Sequence, residues 1–130
     1  MHVKKFLEWI GLKERLHSKI IAAPHVSEGE LWWASIGENV GYEINGKSSL
    51  FSRPVIIFRK LAHGYFLVVP TTSQLRNGSW YVNFKLKDRE MAACLHHLRS
   101  MDYRRLSTRM GDLDEPEFER IREGFRKLYL

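Results

Sequence analysis

"FSRPVIIF", residues 51–58, decides how the rest of the chain reads. Proline cannot donate to a β ladder and sits at the first residue of a strand or on an edge. The unbroken apolar run from Val55 to Phe58 is what a short buried strand looks like. Arg53, always charged, stands at the mouth of that strand where a turn residue would have served, and it suits a phosphate. Downstream, "YFLVVPTTS" (65–73) makes another strand. The Asn-Gly turn of "QLRNGS" (74–79) leads into "WYVNFKLK" (80–87), where Trp80, Val82, Phe84 and Leu86 alternate with Tyr81, Asn83, Lys85 and Lys87 as in a half-buried strand.

Upstream, "LWWASIG" (31–37) is a first strand, joined to Arg53 by the long loop "ENVGYEINGKSSLFSR", in which Asn45-Gly46 favours a primed turn. "MAACLHHLRSM" (91–101) fits strand or helix, and its continuation into "RRLSTRMGDL" favours a further pair of strands. Asp114 and Glu117 form a capping-box pair with Pro116 in the first turn, and Phe118, Ile121, Phe125 and Leu128 are the apolar stripe of a closing helix. At the other end, Phe6, Trp9, Ile10, Leu16 and Ile20 predict an amphipathic helix over 3–21, weakened by Gly11. "AAPHVSEGE" (22–30) reads as a linker. Roughly five antiparallel strands joined by hairpins, with a helix at each end, imply a mainly β fold: a small SH3-like barrel whose closure removes exposed edges.

Size agrees with one domain: 130 residues, 44% hydrophobic and 28% charged. The division expected is 1–28 as a helical extension with its linker and 29–130 as the main domain. No apolar run approaches the ~20 residues that span a bilayer, so no membrane partner is expected. Glu8 and Trp9 break the early apolar stretch, which argues against a signal peptide. The single cysteine, Cys94, excludes an intrachain disulfide and suits a reducing cytoplasm. A net charge of +6 with pI near 9.6 biases the protein toward polyanions.

The six histidines lack the spacing of a zinc site, and the one adjacent pair, His96-His97, would turn its rings to opposite faces of a strand. Neither a P-loop nor GxSxG is present, so no cofactor or metal is expected. Polar residues at strand ends remain: Glu43, Arg53, Thr72, Ser73, Gln74, His96 and Arg99. Singly each has an ordinary structural reading, and their joint placement is the informative feature.

Three segments, "GELWWASIGENVGYEINGK" before "RPVIIF", then "VVPTTSQ", then "LRSMDYRRLSTRMGDLDEPEFERIREGF", resemble the PemK/MazF family of toxin endoribonucleases over residues 29–130. The resemblance implies an SH3-like barrel of the PemK/MazF/CcdB type and metal-independent cleavage of single-stranded RNA, commonly mRNA, to 2′,3′-cyclic phosphate and 5′-hydroxyl ends. It also implies a homodimer and a cognate antitoxin as partner. The family's "RPV" arginine falls on Arg53, its "P-x-T" threonine on Thr72, and its first-loop acid on Glu43. Two departures stand out: "SSLFSRPV" replaces the glycine pair of many relatives, and His96 stands where some carry an aspartate.

The catalytic set expected is therefore Arg53, Thr72, Glu43 and His96. Arg53 and Thr72 would stabilise charge on the phosphorane, while His96 or Glu43 handles protons. Around them, Tyr42, Phe51 and Tyr81 are candidates to stack on bases, and Lys47, Ser73, Gln74, Arg76, Lys85 and Arg99 to bind RNA. Two other readings keep the same barrel: a non-catalytic toxin or adaptor that binds a protein target such as gyrase, and an RNA-binding module without turnover.

Overall fold

A computed structural model describes residues 4–130. Among them, two helices bracket seven strands: α1 (Phe6–His17), β1 (Glu30–Ser35), β2 (Ser52–Ala62), β3 (Tyr65–Thr72), β4 (Tyr81–Leu86), β5 (Arg89–Cys94), β6 (Arg99–Asp102), β7 (Leu106–Asp112) and α2 (Glu115–Tyr129). All recorded strand pairs are antiparallel, in the order β4-β5-β3-β2-β1-β7, with β6 also on β3. The third strand is shared along its length. Tyr65–Val68 pairs with β6, while Thr71 and Thr72 pair with β5.

The expected mainly β architecture with a helix at each end is present, but its hydrogen-bonded order does not close: it ends at β4 on one side and β7 on the other. Side chains fill the gap. Leu86 of β4 lies where a Cβ on Gly111 of β7 would touch it, at 3.3 Å, and the Glu117 carboxylate accepts the outward Lys85 N–H at 2.8 Å. That use of Glu117 also halves the expected capping box. Asp114 Oδ1 does accept from the Glu117 N–H at 3.0 Å, but the reciprocal carboxylate is spent on the sheet edge.

The unbroken run in β2 has a simple cause. Val55 and Ile57 face one core with Trp32, Phe66, Val68 and Met101, whereas Ile56 faces another with Phe84, Met91, Leu95, Phe118 and Ile121. Both sides of the strand are covered, so alternation is absent. Each fully buried side chain of this kind contributes about 1.5 to 3 kcal/mol relative to exposure.

Segment 89–112 yields three strands where the sequence suggested a pair. A 3-10 turn, Leu95–His97, separates β5 from β6, and a second, Tyr103–Arg105, separates β6 from β7. Segment 22–29 is not a free linker, because Val26 is buried in the core against β2 and the Gly29 N–H bonds the Ile57 carbonyl at 2.8 Å. The Asn45-Gly46 pair is no primed turn. Gly46 lacks the positive φ that turn requires, and the tight turn that does form lies between Lys47 and Ser52, which exchange backbone hydrogen bonds at 2.9 Å. Trp80 precedes β4 and stays exposed, outside the alternating stripe.

Helix α1 is shorter than the expected span, whose residue 3 lies outside the described residues. Its buried face is Trp9, Leu12 and Leu16, spaced three and four apart. Phe6 and Ile10 point away from that face, and Ile20 follows the helix end; all three are exposed. The face packs on Phe51, with the Trp9 and Phe51 rings 5.7 Å apart.

Candidate active site

Arg53 opens β2 and Thr72 ends β3, two neighbouring strands whose antiparallel register pairs Val55 with Pro70. Carried two residues further, that register sets Arg53 against Thr72. Both line a cavity of about 180 Å³ together with Tyr42, Ile44, Arg76, Tyr81, Cys94, His96 and His97. The guanidinium is anchored from behind: its Nε–H donates to the Asn45 carbonyl, and Nη1 donates to the Thr71 carbonyl at 3.5 Å. Of the five N–H donors of an arginine, three remain free of these two contacts. Burial lowers the Arg53 pKa, yet a guanidinium stays charged at neutral pH.

Thr72 is largely buried, and its Oγ1 accepts the Gln74 N–H at 3.3 Å. A hydroxyl that accepts from the loop behind it has its own proton to donate. The neighbouring Thr71 faces the other way and donates to the Pro54 carbonyl at 2.7 Å, tying β3 to the start of β2.

His96 and His97 depart from the sequence reading. Because they lie on the 3-10 turn after β5, their rings come to the same side with centroids 4.0 Å apart. The Leu95 N–H bonds the Trp80 carbonyl at 2.8 Å and holds the turn. Trp80 stacks on His96 at 4.8 Å, and Tyr81 meets it edge-on at 5.1 Å. His96 Nδ1 is buried without a hydrogen-bond partner among the described residues. Burial lowers the His96 pKa, the Trp80 carbonyl partly offsetting it. His97 is pushed down to about 4, first by burial and then by the charges of His96 and Arg53. Both imidazoles are therefore neutral at pH 7.

Glu43 is exposed on the turn beside the cavity, where its carboxylate accepts the Val40 N–H at 3.0 Å and still raises the His97 pKa by charge. Tyr42 is fully exposed at the rim. Arg76 bonds Gln74 Oε1 at 2.5 Å, and Ser73 lines an adjoining groove of about 590 Å³ with Arg53, Lys47 and Arg89.

Three expected RNA contacts are placed elsewhere. Phe51 is buried beneath α1, so its ring is not offered to a base. Lys85 lies four residues beyond Tyr81 along β4, roughly 13 Å at strand spacing. Arg99 pairs with Val68, four residues back along β3 from Thr72, and neighbours Arg105 rather than Arg53.

Sequence reasoning missed His97, Ile44, Asn45 and Cys94. The Cys94 thiol is pushed up to about 11, chiefly by burial, against the pull of Arg53 and Arg76. It is thus a wall of the cavity and no nucleophile. Among the described residues, no three His, Cys, Asp or Glu side chains are grouped to hold a metal ion. The cavity lining holds two guanidiniums and no carboxylate, an arrangement that attracts an anion.

A family profile, that of the PemK-like, MazF-like toxins of type II toxin-antitoxin systems, matches residues 27–129. The chain belongs to that family. As a PemK/MazF toxin it carries its matched region from just before β1 to the end of α2, leaving α1 outside. Among curated protein sequences there is no match. Solved structures share the fold. MazF (form I) from Deinococcus radiodurans superposes with a TM-score of 0.66 at 20% identity, covering 81% of this chain and 97% of that one. An endoribonuclease in complex with its cognate antitoxin, from a mycobacterial species, gives 0.60 at 13% identity, covering 79% and 93%. The MazE-MazF complex (form II) from D. radiodurans gives 0.60 at 18%, covering 81% and 96%.

Proposed function

We propose that this toxin is a sequence-selective endoribonuclease that cuts single-stranded RNA, mRNA above all, without a metal. The observation that carries the reading is the convergence of Arg53, Thr72, His96 and His97 on one small cationic cavity. The family membership and the fold shared with an endoribonuclease support it.

In this mechanism the ribose 2′-oxygen loses its proton to a base and attacks the adjacent phosphorus. The bond to the 5′-oxygen breaks, that oxygen takes up a proton, and the products are a 2′,3′-cyclic phosphate and a 5′-hydroxyl. The free N–H donors of Arg53 and the Thr72 hydroxyl bind the non-bridging oxygens as charge builds. One lost donor of this kind typically slows a reaction ~100- to 1,000-fold. Arg53 stays protonated throughout. His96, neutral and lining the cavity, is the proton acceptor, and Glu43 at the rim is the alternative carrier. With the His96 and His97 rings 4.0 Å apart, the pair takes up one proton before it can take up two, because a charge on one ring disfavours a charge on the other.

Tyr42 and Tyr81 flank the cavity as stacking surfaces for unpaired bases. The toxin works in the cytoplasm as a homodimer, and an acidic antitoxin covers the cationic cavity. A net charge of +6 favours such a partner. Among the described residues no helix is long and apolar enough to cross a membrane.

The test is incubation of purified protein with a long single-stranded RNA in EDTA, followed by mapping of the new 5′ ends. Cleavage at a recurring short sequence, leaving 5′-hydroxyl ends and abolished by Arg53→Ala, is expected. Tight RNA binding with no new ends would replace the nuclease by a binding module.

A further inference from the structure

Helix α1 lies outside the family match, yet it is fastened to the loop that leads into Arg53. Trp9 lies flat on Gly37: a Cβ there would fall 2.2 Å from the indole, so only glycine admits the ring. The Arg105 guanidinium covers Trp9 from 5.6 Å, and the Lys5 N–H donates to Glu38 Oε1 at 3.3 Å. With this docking, the first turn of α1 becomes one wall of a groove of about 1,060 Å³ that ends on Arg53. Lys4 and Lys5 come from the helix and Lys47 from the opposite loop, while Glu8 and Glu38 lie in the same lining.

Those lysines are not there to steady the helix. Positive charge at a helix N-terminus opposes the backbone dipole. Among the described residues no ion pair engages Lys4, Lys5 or Lys47. The groove is at the upper end of small-ligand sites in volume, too roomy for one phosphate alone.

We infer that α1 adds an RNA subsite, in which Lys4, Lys5 and Lys47 bind backbone phosphates next to the diester held by Arg53. This rests on the nuclease reading, since a strand with its scissile phosphate at Arg53 runs into the groove. RNA is the occupant because the nuclease reading already sets a phosphodiester chain at Arg53, which lines both the groove and the cavity; an acidic polypeptide at the same lysines is the alternative that competition by polyglutamate tests.

The experiment compares the wild type with Lys4→Gln/Lys5→Gln. The hydrogen bond from Lys5 to Glu38 is made by its backbone N–H and not by its ammonium, so these substitutions leave the docking in place, as the thermal melt will verify. The probe is a labelled, fully 2′-O-methylated RNA, which lacks the attacking hydroxyl; binding is followed by fluorescence anisotropy against salt. Each phosphate neutralised on a single strand contributes a slope of ~0.7, so the variant's log-log salt slope becomes shallower by about 1.4. A trinucleotide, confined to the Arg53 cavity, binds both proteins alike. Equal slopes for the long RNA overturn the subsite while leaving intact the nuclease reading, which the wild type's own cleavage decides. Equal slopes with weaker competition by polyglutamate in the variant assign the lysines to an acidic polypeptide and likewise overturn it. Failure of the wild type to bind or cut any RNA removes both.

Discussion

Arg53→Lys separates the two tasks assigned to this side chain. Lysine keeps the charge but lacks the planar fork that bonds the Asn45 carbonyl through Nε and the Thr71 carbonyl through Nη1. Losing the charged contact to the partly buried Asn45 carbonyl costs about 1.5 to 3 kcal/mol, and the longer Thr71 contact adds little. In a domain of this size that is a fall in melting temperature of roughly 5 to 10 °C. The three N–H groups left for the phosphate are also lost as a fixed array, and an ammonium replaces them with a point charge. Cleavage should fall ~100- to 1,000-fold with the change concentrated in the single-turnover rate. The assay is single-turnover cleavage of a fluorogenic RNA, alongside a thermal melt, with added guanidinium tested for rescue of Arg53→Ala. A lysine variant that melts lower and still cuts at the wild-type rate would refute the catalytic role, leaving Arg53 as a structural tie between two loops.

Other consequences follow from particular contacts. His97 binds its proton less readily in the fold than in the unfolded chain, so its contribution to stability is complete above pH ~6.5 and is lost as pH falls toward about 4. Urea midpoints of His97→Gln should therefore decline less than the wild type's across that window, and parallel curves would rule the effect out. Gly46→Ala puts a Cβ 1.7 Å from the Phe51 carbonyl oxygen, and urea unfolding should show a loss of about 3 kcal/mol or more. Gly78→Ala, with no atom within 4 Å but a φ of +112°, should lose only about 1 to 2 kcal/mol. Trp9→Ala should cost about 3 to 5 kcal/mol by uncovering Phe51, and a loss under ~1 kcal/mol would mean that α1 is not docked. Cys94 should resist thiol reagents in the native protein at pH 8 and react on unfolding, which mass spectrometry would record.

What the sequence determined alone is local. The unbroken apolar runs of β2 and β3, the period of two in β4 and the 3.6 stripe of α2 mark these elements because burial on both faces, on one face or along one helix stripe leaves its pattern in neighbouring residues. Arg53 and Thr72 were legible for the same reason, since each closes the end of such a run. Tertiary structure decided where distant segments meet. The Trp80 carbonyl takes the Leu95 N–H and folds 95–97 into a turn, so His97 joins His96 instead of facing away. Docking of Trp9 on Gly37 buries Phe51 and selects which stripe of α1 is covered. Division of β3 between β5 and β6 leaves Thr72 in the cavity and carries Arg99 off with the other half. None of these has a periodic signature, because each depends on a hydrogen bond or a contact between residues far apart in the chain.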